Sequence, residues 1–327
     1  MQRHSFLKLA VCSALLATGL AANAQVTRIR FSHAGPETAS QHQAALEFAR
    51  LVKERSKGQL EVQVYPSSQL GNDSTTLGAV RGGTIDMMMA GSGNFSGLVS
   101  KFEVLDIPFL FRDPTHAYAT VDGDVGQRLA KELEAHGLKQ LAFWEVGFRS
   151  ITTKNRAVRT PEDVKGLKIR TMGNPVHIQA WKLLGSNPLP MPLGELYQAL
   201  ESGAVDAQEH PVDITYAAKF YEVQKHLTLT RHAFTAMPVV YSKQKFDALK
   251  PELQKVLLDS ASDARLLQRN TNQKNEAGIV ADLRKQGMSV IESYDPMPFK
   301  AIVGDVVRKA YVTKNGPELL AAVDAVK

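Results

Sequence analysis

Two arginines are the residues best suited to hold an anion. Arg170 closes the run Leu167-Lys168-Ile169-Arg170, and Arg149 follows a second apolar run in Gly147-Phe148-Arg149-Ser150. In an open α/β sheet the ligand crevice lies beyond the carboxyl ends of the strands. A guanidinium there offers a planar fork of donors that matches a carboxylate bidentately. Each arginine also has an ordinary alternative, a surface position or a pairing with a nearby acid. The same strand-end argument puts His33, just past the first strand, and Asn94, past a methionine-rich run, on the crevice. Met172 and Asn174 stand two and four positions after Arg170 and are expected beside it.

Covalent and metal chemistry find little support. There is no Gly-x-Ser-x-Gly elbow, no His-Glu-x-x-His and no Walker-type phosphate loop. Residues 78–83 lack the Lys-Ser/Thr ending of such a loop, and Gly91-Ser92-Gly93 lacks the third glycine of a dinucleotide site. The histidines are scattered at spacings that form no helical metal pair. The single cysteine, Cys12, excludes a disulfide framework and a cysteine-based metal site. No cofactor is expected, and an enzyme acting on a small acid is a lower-ranked alternative.

The elements that must carry these residues alternate between strand and helix periods. Ile29 and Phe31 alternate with Arg28 and Arg30 as in a half-buried strand. Residues 41–57 set Ala45, Phe48, Ala49 and Val52 on one helical face, and Leu60, Val62 and Val64 alternate again. A helix is expected at 74–81, and 85–90 reads as a strand buried on both faces, its methionines being core. Residues 141–144 form the next buried strand. Thr160 caps a short turn with Pro161 in it, and a strand at 167–171 follows. Helices at 175–184 and 195–201 flank an extended stretch at 187–192. This order argues for an α/β fold with parallel sheets covered on both faces. Residues 251–286 form a long helix, apolar at both ends and polar at 268–276, suited to bridge two domains through solvent. Phe299, Ile302, Val303, Val306, Val307 and Ala310 share one face of a last helix.

The 327 residues suggest roughly two domains. A hydrophobic content of 44% with 22% charged residues is that of a globular chain, not a disordered one. A basic start with Arg3, His4 and Lys8 precedes an apolar run at 9–22, too short for the roughly 20 residues that span a bilayer. Ala22-Asn23-Ala24 then supplies a small-x-small cleavage signature, so the mature chain is expected to start near Gln25 and to be exported. Without Arg3 and Lys8 the formal charge falls from +6 to +4, which gives no case for a nucleic-acid partner.

Several blocks in order then carry a resemblance: Tyr65-Pro66-Ser67-Ser68-Gln69-Leu70-Gly71, Gly83-Thr84-Ile85-Asp86-Met87, Asp106-Ile107-Pro108-Phe109-Leu110-Phe111, the stretch 160–170, and the stretch 199–209. The chain resembles the extracytoplasmic solute-binding subunits of TRAP transporters, the DctP-type family. The resemblance implies a two-domain periplasmic-binding-protein fold with a hinged cleft and a long helix crossing both domains. After a signal peptide at 1–24, it implies domain I at 25–146 plus 235–274 and domain II at 147–234 plus 275–327. It also implies capture of a small organic acid and its delivery to the small and large integral membrane subunits of the transporter. Arg170 would pair with the ligand carboxylate, Arg149 would assist, and Asp73 would accept hydroxyl hydrogens. His210 replaces the asparagine usual in that family, and Phe234 is expected as an apolar wall. Together these residues suggest a monocarboxylate with hydroxyls, such as a uronate or another sugar acid. A C4-dicarboxylate is the alternative if Arg149 and His210 engage a second carboxylate. An ABC-type receptor would share the two-domain cleft but not these blocks.

Overall fold

Strand β1 (Thr27–Ser32) buries Ile29 and Phe31, the two residues its alternation selects. The computed structural model describes residues 26–327, so the expected leader, with Cys12, lies outside the described residues. Helix α1 (Ser40–Arg55) lays Ala45, Phe48 and Val52 on the sheet, and β2 (Leu60–Tyr65) returns parallel to β1. Helix α2 (Asp73–Arg81), capped by the Asn72 side chain, leads to β3 (Met87–Met89). Its methionines are core, with Met88 facing one hydrophobic cluster and Met87 and Met89 the other. Helices α3 (Pro114–Asp122) and α4 (Asp124–Glu134), which no sequence signal had singled out, precede β4 (Leu138–Thr153).

A short turn at Pro161–Val164 follows, with the Asp163 carboxylate accepting from the Arg159 and Thr160 N–H groups. Strand β5 (Lys168–Thr171), helix α5 (Pro175–Leu183), strand β6 (Asn187–Pro190) and helix α6 (Leu193–Glu201) match the expected order. Next come β7 (Ala207–His210), α7 (Val212–Ala217) and the long β8 (His226–Ser242). The chain closes with α8 (Lys243–Asp247), α9 (Pro251–Lys285), β9 (Ser289–Ile291), α10 (Met297–Asn315) and α11 (Glu318–Ala325).

Among the described residues nine strands join in one sheet in the order β2-β1-β3-β8-β4-β7-β5-β6, with β9 beside β8. The outer groups β2-β1-β3 and β7-β5-β6 are parallel, as helix-linked strands must be. The centre is different. Strand β4 runs antiparallel to both β7 and β8, and β8 antiparallel to β3, so the expectation of purely parallel sheets is corrected to a mixed sheet. Strand β4 also does not end at Trp144. It runs on through Glu145 and Gly147, absorbing the interruptions as register shifts against β8 at 145–147 and 149–151.

Helix α9 corrects a second expectation. Its polar middle does not bridge through solvent but rests on β4. Gln268 accepts from Glu145 N–H at 3.0 Å and donates to Glu145 C=O at 2.6 Å, while Arg269 donates to Phe143 C=O at 2.8 Å. Asn272 donates to the Glu145 carboxylate at 2.7 Å. In α10 the buried stripe is Phe299, Val303, Val307 and Tyr311; Ile302 and Val306 face outward.

Candidate functional site

The carboxyl ends of the outer strands and the middle of β4 converge on a cavity that runs into a wider groove. His33, Asp73, Asn94, Arg149, Arg170, Met172 and His210 all line it. Main-chain and apolar walls come from Ala34, Gly35, Met89, Ala90, Gly91, Val146, Leu193, Ile214 and Met237.

Arg170 lies in β5 and is 3% exposed. Its Nε and Nη2 both donate to Met191 C=O, at 3.1 and 2.7 Å, and Nη1 meets His210 Nε2 at 3.2 Å. A guanidinium has five N–H donors, so one remains on each of Nη1 and Nη2. Burial, with Arg149 nearby, lowers its pKa to about 10, which leaves it a cation at neutral pH.

Arg149 is not a strand-end residue. It sits inside β4, fully buried, and its Nε and Nη2 grip the Glu209 carboxylate. Nη2 also donates to Glu209 C=O, and Nη1 donates to Thr235 Oγ1 at 3.2 Å. Burial alone would push Glu209 up, but the Arg149 charge and the His232 hydrogen bond hold it well below the usual carboxylate range. The second arginine therefore arrives already neutralised.

His210 ends β7 between the two guanidiniums. Burial, then Arg149 and Arg170, drive its pKa well below the usual value, so the ring is neutral. The Gln208 side-chain oxygen contacts Nδ1, which fixes that nitrogen as the donor and Nε2 as the acceptor for Arg170. The histidine orients Arg170 and adds no charge for a second carboxylate.

Across the cavity the groups come from the first half of the chain. Asp73 opens α2, and burial pushes its carboxyl up to about 6 against the pull of Arg170. Asn94 donates to Asp73 Oδ2 and to Gly91 C=O, both at 3.3 Å. His33 Nε2 meets His42 Nδ1 at 3.0 Å, and burial lowers the His33 pKa to about 3.

Asn174 and Phe234 do not line this cavity. Asn174 precedes Pro175, and its side chain turns back to cap α5, accepting from Val176 N–H at 2.9 Å and His177 N–H at 3.4 Å. Phe234 lies in β8 on the face opposite Thr235 and Met237, as the pleat requires, and packs against Phe111, Tyr118 and Phe148. Glu209, which neutralises Arg149, and Gln41, which lines the cavity from α1, had no sequence signal of their own. Glu209 was within reach, since it stands in the matched stretch 199–209 beside His210.

Among the described residues no cluster of three or more His, Cys, Asp or Glu is placed to hold a metal ion. A buried guanidinium that hydrogen-bonds to no carboxylate and faces neutral and acceptor groups is chemistry suited to a small organic anion. The match to the bacterial extracellular solute-binding proteins of family 7, the DctP family, spans residues 31–314, and the chain belongs to that family. It is 45% identical over 323 residues to the 2,3-diketo-L-gulonate-binding periplasmic protein YiaO of Escherichia coli, covering 97% of this chain and 98% of that one. It is 34% identical over 264 residues to the C4-dicarboxylate-binding periplasmic protein DctP of Rhodobacter capsulatus, covering 79% of each. A TRAP periplasmic solute-binding protein from Polaromonas, solved with D-erythronate, superposes with a TM-score of 0.89 at 35% identity, covering 92% of this chain and 99% of that one. The protein is thus a TRAP transporter solute-binding receptor with the two-domain α/β fold of its family, and it is a binding protein, not an enzyme.

Proposed function

We propose that this receptor captures a hydroxylated monocarboxylate, a sugar acid. Arg170 carries the reading: Met191 and His210 leave it one free N–H on each terminal nitrogen, the pair a carboxylate accepts bidentately. Asp73 and Asn94, opposite, suit hydroxyl groups. Two relatives point the same way, since 2,3-diketo-L-gulonate and D-erythronate are both sugar acids. A C4-dicarboxylate is the second reading, favoured by the R. capsulatus relative. The neutral His210 and the Glu209-paired Arg149 weigh against it, because they leave no cation for a second carboxylate.

Around the ligand the two domains close. The proposed division at 146/147 and 234/235 coincides with the register shift between β4 and β8 at 145–147. Export by cleavage near Gln25 and delivery to the small and large membrane subunits complete the proposed role.

A thermal-shift panel of sugar acids and C4-dicarboxylates on ligand-stripped protein tests this. A true ligand at 1,000 times its Kd should stabilise by about 4 kcal/mol. Arg170→Ala should stay folded and lose at least about a hundredfold in affinity, the scale of a lost charged contact. Hits confined to dicarboxylates would replace the sugar-acid reading, and a folded Arg170→Ala with unchanged affinity would remove the arginine from the site.

A further inference from the structure

We infer that Gln41 contacts the end of the ligand remote from its carboxylate and sets which oxygen functions the receptor accepts, an inference that rests on the sugar-acid reading above. Gln41 is the second residue of α1 and only 6% exposed, and its side chain lines the cavity. Of the other polar groups on the cavity wall, Asn94 donates to Asp73 and Gly91, and His33 Nε2 meets His42 while its Nδ1 has no partner among the described residues. The Gln41 carboxamide makes no hydrogen bond among the described residues, so its donors and acceptor lone pairs are open to a ligand in the cavity. The amide lies against the bare backbone of Gly35, where a Cβ would come 2.0 Å from Gln41 Nε2 and 2.9 Å from Cδ.

A carboxamide offers two donors and two acceptor lone pairs without charge. It can therefore satisfy a hydroxyl or a carbonyl equally, while giving a second carboxylate no counter-charge beside Asp73. This places selectivity on the α1 side of the cavity and anchoring on Arg170.

Isothermal titration of the exported form with 2,3-diketo-L-gulonate, D-erythronate and succinate tests the assignment. Gln41→Met keeps the length and removes the hydrogen bonds, while Gln41→Glu keeps the shape and adds charge. Gln41→Met should melt like wild type without ligand yet bind the preferred sugar acid about tenfold more weakly. Gln41→Glu should lower succinate affinity more than sugar-acid affinity. Affinities within twofold of wild type for every acid in Gln41→Met overturn the inference. Should wild type bind succinate and neither sugar acid, the sugar-acid reading falls while Gln41 is still decided. A tenfold succinate loss in Gln41→Met then keeps it as a ligand contact, and no loss removes it.

Discussion

Arg149 and Arg170 have different tasks because of their partners. Two unpaired guanidiniums in one desolvated cavity would repel each other, and each would bear a burial cost. Glu209 offsets one of them, which leaves Arg170 as the guanidinium of the cavity that hydrogen-bonds to no carboxylate. Beneath this layer Asp106 is fully buried and accepts from Ser92 Oγ at 2.9 Å. Burial pushes its carboxyl up to about 7, so the folded state holds its proton where the unfolded chain has lost it. Its contribution to stability is full below the usual carboxylate pKa and is lost as pH rises through about 7. Asp106→Asn should therefore gain stability over wild type between pH 5 and pH 8, by about 2 kcal/mol or more. Urea unfolding at both pH values measures it, and a difference that ignores pH would mean Asp106 does not titrate in this range.

At the scale of elements, β4 and α9 hold the frame of the site. Trp144 Nε1 donates to Ala261 C=O at 2.9 Å, and about two turns further on Gln268 pairs with both main-chain groups of Glu145. These bonds occupy the β4 backbone where its register against β8 shifts, so the strand can change pairing there without leaving buried groups unsatisfied. Gln268→Leu keeps the volume and strands a buried N–H and C=O. It should cost about 2–4 kcal/mol in chemical denaturation, each orphaned group costing about 1–3 kcal/mol. A loss below about 0.5 kcal/mol would show that the helix only lies over the strand.

For the whole molecule, on the proposed division into two domains, the contact to test is the one across the cleft. The turn Ser92–Phe95 approaches the start of α5 so closely that a Cβ at Gly93 would lie 2.4 Å from Asn174 Nδ2 and 2.8 Å from Met172 Sδ. A ligand drives closure only by favouring the closed state over the open one. Gly93→Ala, which penalises only the close approach, should leave the unliganded melting temperature nearly unchanged and weaken ligand binding about tenfold or more. Small-angle scattering should then show a smaller contraction on ligand addition than in wild type. Equal contraction and equal affinity would mean that this contact has no part in closure.

Residue order alone carried much of this. The alternation of Ile29 and Phe31, the helical face of Ala45, Phe48 and Val52, and the long run at 251–286 each encode an element locally, because side-chain periodicity depends only on neighbours along the chain. Strand-end logic brought Arg170, His33 and Asn94 to the crevice for the same reason. What lay beyond it depended on partners far away in sequence. That Arg149 is neutralised by Glu209, 60 residues later, is a fact of β4 lying beside β7. That Asn174 caps a helix and Phe234 faces the core followed from backbone direction and pleat, not residue type. That the Gln41 amide lies against Gly35, six positions earlier, is likewise a fact of how the chain folds back. Local pattern sets which face a residue takes; only the long-range pairing of strands decides which charges meet, and so which arginine remains free for a ligand.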